Sequence, residues 1–151
     1  IISGLVGTFV GGFSASAWRK HNPAAYSLTL GLSTLAAAPF AAWAFLGGTR
    51  MAFMAGLAAA IFLLFLGAGP VNTLIIETVP VKLRASAMAL SIFMIHLFGD
   101  MLSPEIIGDL SEFFGLNRAM LILPFVLLLA GGLWLGLAIK TLRNKNVDKG
   151  I

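Results

Sequence analysis

The run MAFMAGLAAAIFLLFLGAGPVNTLII, residues 51–76, decides the fold because it contains no charged side chain. A helix needs about 20 apolar residues to cross a hydrocarbon core ~30 Å thick, and this run is longer than that. Uncharged runs of similar length recur on both sides of it. The sequence therefore predicts five transmembrane helices, over residues 1–18, 24–46, 51–76, 85–107 and 119–139.

The composition excludes the soluble classes of protein. Hydrophobic residues make up 59% of the 151 residues and charged residues only 11%, and the mean hydropathy is +0.98. Soluble domains carry about 25% charged residues, and a chain of this length could not bury so much apolar surface. A soluble enzyme, a nucleic-acid-binding domain and a disordered tail are thus excluded. No alternation long enough for a lipid-facing barrel strand occurs, so the predicted class is all-α and transmembrane, in a single domain.

The basic residues are unevenly distributed between the predicted loops. Arg50 and Arg118 lie on one side of the membrane, next to the connections 47–50 and 103–117. The opposite side carries the loops 19–23 and 81–84 and the polar tail 140–151. Lysine and arginine are enriched in cytoplasmic loops, so we expect this second side to be cytoplasmic, in a bacterial inner membrane. Its eight basic residues are Arg19, Lys20, Lys82, Arg84, Lys140, Arg143, Lys145 and Lys149.

Two ionisable side chains interrupt the fourth predicted span. His96 lies about 18 Å and Asp100 about 24 Å along the helix from Arg84, and their four-residue spacing places them on one face. A charged group at mid-bilayer costs roughly 2.5–3.5 kcal/mol, so it usually faces protein or a water-filled cavity. The pair predicts a proton relay or a polar substrate contact. The alternative is an interhelical hydrogen bond that only fixes packing.

Other polar residues near the span ends leave two interpretations open. Asn72, next to Thr73, lines the same cavity as His96 or hydrogen-bonds a neighbouring helix. Glu77 and Arg84 are solvated interfacial charges, or they form a network with Arg19 and Lys20 that latches the cytoplasmic side. We expect no metal, cofactor or catalytic residue, because no third ligand and no activated nucleophile accompanies the His96–Asp100 pair.

Glycines at four-residue spacing predict close helix contacts. Gly7 and Gly11 form one such pair, and Gly132 and Gly136 form another. Small residues at this spacing allow two helix backbones to approach each other in lipid.

Several motifs resemble the major facilitator superfamily. Gly11–Lys20, GGFSASAWRK, resembles its cytoplasmic Gly-x-x-x-Asp-x-x-x-Arg-Lys/Arg loop in the second-half copy, with serine or alanine at the acidic position. Glu77 to Arg84 resembles the Glu, six residues, Arg pattern at the end of helix ten in several transporter families. The sharpest likeness is the run 96–108, HLFGDMLSPEIIG, which is similar to a His-Leu-x-Gly-Asp-x-x-Ser-Pro-x-x-x-Gly run in helix eleven of the Spinster-like branch.

The resemblance implies that the five spans are helices eight to twelve of a twelve-helix transporter. The chain would then be most of a C-terminal bundle, without the N-terminal six-helix half and helix seven. It implies a secondary transporter that works by alternating access with proton coupling. The substrate would be a small amphiphilic solute, such as a lysophospholipid or a sphingoid phosphate, and the partners would be membrane lipids and the missing helices. A drug or metabolite exporter of the same fold and a non-transporting membrane scaffold remain alternatives.

Overall fold

The computed structural model describes the backbone of residues 1–148 and the side chains of residues 1–144. This part of the chain contains eight α-helices. This confirms the predicted all-α class. Lys149, a residue of the predicted tail, lies outside the described residues. The helices are α1 (Ile2–Arg19), α2 (Ala25–Leu46), α3 (Arg50–Phe65), α4 (Ala68–Thr78), α5 (Arg84–Ile95), α6 (Ser103–Phe114), α7 (Leu116–Ala119) and α8 (Ile122–Asp148).

Four helical stretches are long and apolar enough to cross a membrane. α1 is not one of them, because its glycines, its serines and Arg19 make its 18 residues less apolar than those stretches. It nevertheless packs against α3 and α4 as the fifth helix of the bundle. The four stretches are Ala25–Leu46, Arg50–Thr78, Val81–Phe114 and Leu116–Asn144.

The third predicted span is one helical stretch, Arg50–Thr78, with a break between α3 and α4. The chain turns at Leu66 and Gly67 between α3 and α4. Pro70 lies in the first turn of α4 and is fully buried. Proline has no N–H to continue the hydrogen bonds of a helix from the preceding turn, which explains why α3 does not run on into α4.

Two segments that the sequence predicted to be a connection and a polar tail are helical. Residues 103–117 were expected to be a connection, but Ser103–Phe114 forms α6, and Gly115 ends it with a φ of 80°. Residues 140–148, expected to be a polar tail, continue α8. Both corrections have the same origin, because charged residues mark where a span leaves the apolar layer and not where its helix ends.

α2 lies at the centre of the bundle and contacts α1, α3, α4 and α8. Its buried residues are mostly alanine, serine and glycine, which allow close approach. A Cβ on Gly31 would lie 2.6 Å from Leu135 Cδ2, and a Cβ on Gly131 would lie 2.6 Å from Leu35 Cγ. Each helix thus receives a leucine of the other in a glycine notch.

The predicted Gly132–Gly136 contact is not made within the described residues, where a Cβ on either glycine would meet no atom within 4 Å. The notch residue on α8 is their neighbour Gly131. In contrast, Gly7 and Gly11 are buried against α3. A Cβ on Gly7 would lie 2.5 Å from the Phe62 carbonyl oxygen.

Residues 81–114 form the exposed side of the described bundle. None of them is buried, and their contacts outside the segment are with the flanking helices α4 and α7. Many of the exposed side chains are large and apolar; Ile95 is 60% exposed and Phe98 is 59% exposed. This side of the bundle is therefore a largely hydrophobic surface.

Candidate functional site

The His96–Asp100 pair lies on a π-helical segment. Residues His96–Leu102 form this segment between α5 and α6. Ser103 Oγ donates a hydrogen bond to the carbonyl of Phe98, five residues earlier, at 3.0 Å. Pro104, at the start of α6, cannot donate a backbone bond into the preceding turn. Single π-turns inside α-helices are rare and are found frequently at functional sites.

His96 and Asp100 contact each other directly. His96 Nδ1 lies 2.5 Å from Asp100 Oδ2, within hydrogen-bonding distance across one helical turn. The side chains are 64% and 67% exposed, so no described residue covers them. A polar pair inside a span that is otherwise apolar needs water or another polar surface. The pair can hold a proton between an imidazole and a carboxylate, or present both groups to a polar ligand.

Asn72 does not join the pair within the described residues. Its side chain is exposed on α4, and the hydrogen bonds of this part of the chain do not connect it to His96 or Asp100. Thr73 Oγ1 donates to the carbonyl of Gly69 at 3.1 Å, inside its own helix. The proposed common cavity of Asn72 and His96 therefore remains a prediction.

The structure joins two members of the predicted charge network. Arg19, at the end of α1, places Nη2 3.1 Å from Oε2 of Glu77, near the end of α4. Fifty-eight positions separate these residues in the sequence. The two side chains are 38% and 42% exposed, so this is an interfacial ion pair rather than a buried one.

Lys20 and Arg84 form no ion pair among the described side chains. Both are exposed, Lys20 directly after α1 and Arg84 at the first position of α5. The expected Glu77–Arg84 contact is absent from this part of the chain, where the acid instead pairs with Arg19.

Two further contacts to Arg19 were not predicted from the sequence. Its Nη1 donates to the carbonyl of Pro23 at 2.9 Å. Its Cζ lies 5.6 Å from the ring centroid of Tyr26, which is only 7% exposed. Tyr26 is the only tyrosine of the chain. A tyrosine shortly after a basic loop was the available signal, since aromatic rings attract guanidinium groups.

Among the described residues, no three histidine, cysteine, aspartate or glutamate side chains lie close enough to hold a metal ion. The ion pairs among the described side chains are His96–Asp100 and Arg19–Glu77. Together with the four long apolar helical stretches, these features define an integral membrane protein.

No profile of a known protein family matches the chain. It is 33% identical over 150 residues to the "Probable sphingolipid transporter spinster homolog 2" of Arabidopsis thaliana, covering 98% of this chain and 31% of that protein. It is 34% identical over 135 residues to the corresponding homolog 3 of that plant, covering 89% and 26%. "Protein spinster homolog 3" of Mus musculus is 27% identical, with coverage of 89% and 29%.

These matches confirm the resemblance drawn from the run 96–108. The chain is similar to this Spinster-like branch of the major facilitator superfamily along nearly its whole length. It spans between a quarter and a third of the length of the curated relatives that it matches.

Proposed function

We propose that the chain is part of a secondary transporter for an amphiphilic, lipid-like solute, and that His96 and Asp100 face its transport pathway. The observation that carries the proposal is the exposed His96–Asp100 contact on a π-helical segment of an otherwise apolar span. The plant relatives are named as probable sphingolipid transporters. A sphingolipid joins an apolar chain to a polar head, which suits an apolar surface that contains one polar pair.

The exposed side 81–114 is proposed to face the rest of the transporter. Its span is at least as apolar as α2, yet none of its residues is buried, whereas 44% of the apolar window of α2 is buried. Facilitator-type sites lie between two helical halves near the middle of the bilayer. The partner is then a further group of helices, corresponding to the length that the relatives have and this chain does not match. Membrane lipids surround the remaining faces.

Transport is expected only when that further group of helices is present. Proteoliposomes with the 151-residue chain alone should show no saturable uptake, because half of the pathway wall is absent. Proteoliposomes with the chain joined to the remaining length of its relatives should take up the solute, with competition by lysophospholipids or sphingoid phosphates. Saturable uptake by the chain alone would contradict the proposal. Competition by unrelated drugs, and not by these lipids, would favour an exporter of the same fold.

The Arg19–Glu77 ion pair is proposed to act as a latch that closes one end of the bundle. It joins the ends of α1 and α4, and exposed ion pairs contribute only ~0–1 kcal/mol. A contact of this strength can be broken and remade during a transport cycle without unfolding the bundle. We refer to this pair below as the latch.

In the proposed orientation the protein lies in a bacterial inner membrane. The latch and the C-terminus are then on the cytoplasmic side. Because the chain has no cysteine, single cysteines report the side of each loop. Asn117→Cys and Met51→Cys, at exposed positions, should react with an impermeant thiol reagent from outside. His21→Cys, also exposed, is the matched control and should react only in inverted vesicles. The reverse pattern of labelling would overturn the orientation.

A further inference from the structure

The latch has an unusual asymmetry, because one of its partners is held in place and the other is not. Glu77 has a single described hydrogen bond, from Arg19. Arg19 has three described contacts: the carboxylate of Glu77, the carbonyl of Pro23 and the ring of Tyr26. The last two belong to the loop after α1 and to the first turn of α2. Neither of these two contacts involves Glu77.

We propose that Tyr26 is a positioning residue that sets the strength of the latch. This inference rests on the latch put forward above. An exposed ion pair is usually weak because two long side chains must be ordered to form it. Tyr26 is buried, so its ring is a fixed platform rather than a mobile side chain. A guanidinium on that ring, hydrogen-bonded to Pro23, has lost part of its freedom before Glu77 approaches.

The same geometry explains why Glu77 pairs with Arg19 and not with Lys20. The two bases are neighbours, but Lys20 has no described aromatic ring or carbonyl contact and is exposed. Lysine also lacks the planar fork that lets arginine stack on a ring while donating to two acceptors. The choice between the two bases is therefore made by α2 through Tyr26.

A double-mutant cycle tests the proposal. The coupling between Arg19→Gln and Glu77→Gln is measured by reversible unfolding of the 151-residue chain in mixed micelles, in three backgrounds. In the wild-type background the coupling should change the unfolding equilibrium constant by about two- to tenfold. It should be retained in Tyr26→Phe, which keeps the ring, and fall to near onefold in Tyr26→Leu. The general cost of losing the ring cancels in the cycle, so a purely structural role of Tyr26 would leave the coupling unchanged.

Two further variants complete the experiment. Arg19→Lys keeps the charge but not the planar guanidinium near the Tyr26 ring. The coupling between the lysine of this variant and Glu77 should therefore be near onefold. Lys20→Gln is the matched control and should show no coupling to Glu77. If Tyr26→Leu does not fold, the Arg19→Lys comparison decides, since a lysine that couples as strongly as arginine overturns the proposal.

The outcomes distinguish the positioning role from the latch. Unchanged coupling in Tyr26→Leu, or no coupling in the wild-type background, overturns the positioning role. The latch fails on a different measurement, when Glu77→Gln leaves the balance of inward- and outward-open states of the whole transporter unchanged. In that case, a coupling that depends on Tyr26 still supports the positioning role, in an ion pair that only stabilises the bundle.

Discussion

Asp100→Asn is expected to reduce uptake driven by a proton gradient to near background in the whole transporter, while insertion and purification stay normal. The substitution keeps the shape of the side chain and its hydrogen bond to His96, but removes the carboxylate that can hold a proton. Asp100 is 67% exposed, so its replacement leaves no buried partner unsatisfied. Uptake with and without an imposed proton gradient measures the effect.

His96→Gln is the companion variant of this prediction. The substitution removes the imidazole that contacts Asp100, so it should lower uptake driven by a proton gradient as Asp100→Asn does. Asp109→Asn is a matched control, because this carboxylate is also exposed but lies outside the π-helical segment, on α6. If both pair variants transport like the wild type and only lose thermal stability, the pair is a packing contact and the proposed pathway is wrong.

Gly11→Ala is expected to destabilise the bundle by about 1–3 kcal/mol, the usual cost of overpacking. A Cβ on Gly11 would collide with the backbone of Leu66, where α3 ends. A backbone cannot rotate away as a flexible side chain can, so α1 must move off α3. Thermal unfolding in detergent, followed by helix content, measures the loss.

Gly12→Ala is the matched control for this prediction. A Cβ on Gly12 would meet nothing within 4 Å of the described chain. Both substitutions remove a glycine from the interior of α1 and bring the same gain in helix propensity, up to about 1 kcal/mol. Gly12→Ala should therefore be neutral or slightly stabilising. Equal unfolding temperatures for the two variants would show that the contact between α1 and α3 is not as close as described.

The sequence predicted the all-α class correctly because membrane spans obey a strong constraint. In lipid every backbone polar group must be satisfied internally, so a long uncharged run can only be a helix. Helix ends were less predictable. Ser103–Phe114 contains Glu105, Asp109 and Glu112 and was expected to be a connection, yet it forms α6. Charge reports where a span meets water, and hydrogen bonding decides where its helix ends.

The candidate site was partly visible in the sequence. His96 and Asp100 at four-residue spacing predicted a shared face, and the structure brings them into contact. The π-helical segment beneath them was not predicted, since it depends on how one turn of backbone accommodates Pro104 and the Ser103 hydroxyl. Asn72 was expected near the same cavity, and its relation to the pair depends on how neighbouring helices pack. That part of the prediction stays untested.

By itself, the sequence determined that the chain is an all-α membrane protein, which residues are out of place in lipid, and which transporter branch it resembles. These conclusions need only composition, local spacing and motif. The tertiary structure decided that Glu77 pairs with Arg19 rather than Arg84, that Tyr26 supports the guanidinium, and that Gly131 rather than Gly132 receives a leucine. Each of these depends on the rotation of one helix about its axis relative to another. A rotation of one residue is 100°, which hydrophobic patterning in a nearly all-apolar helix does not specify.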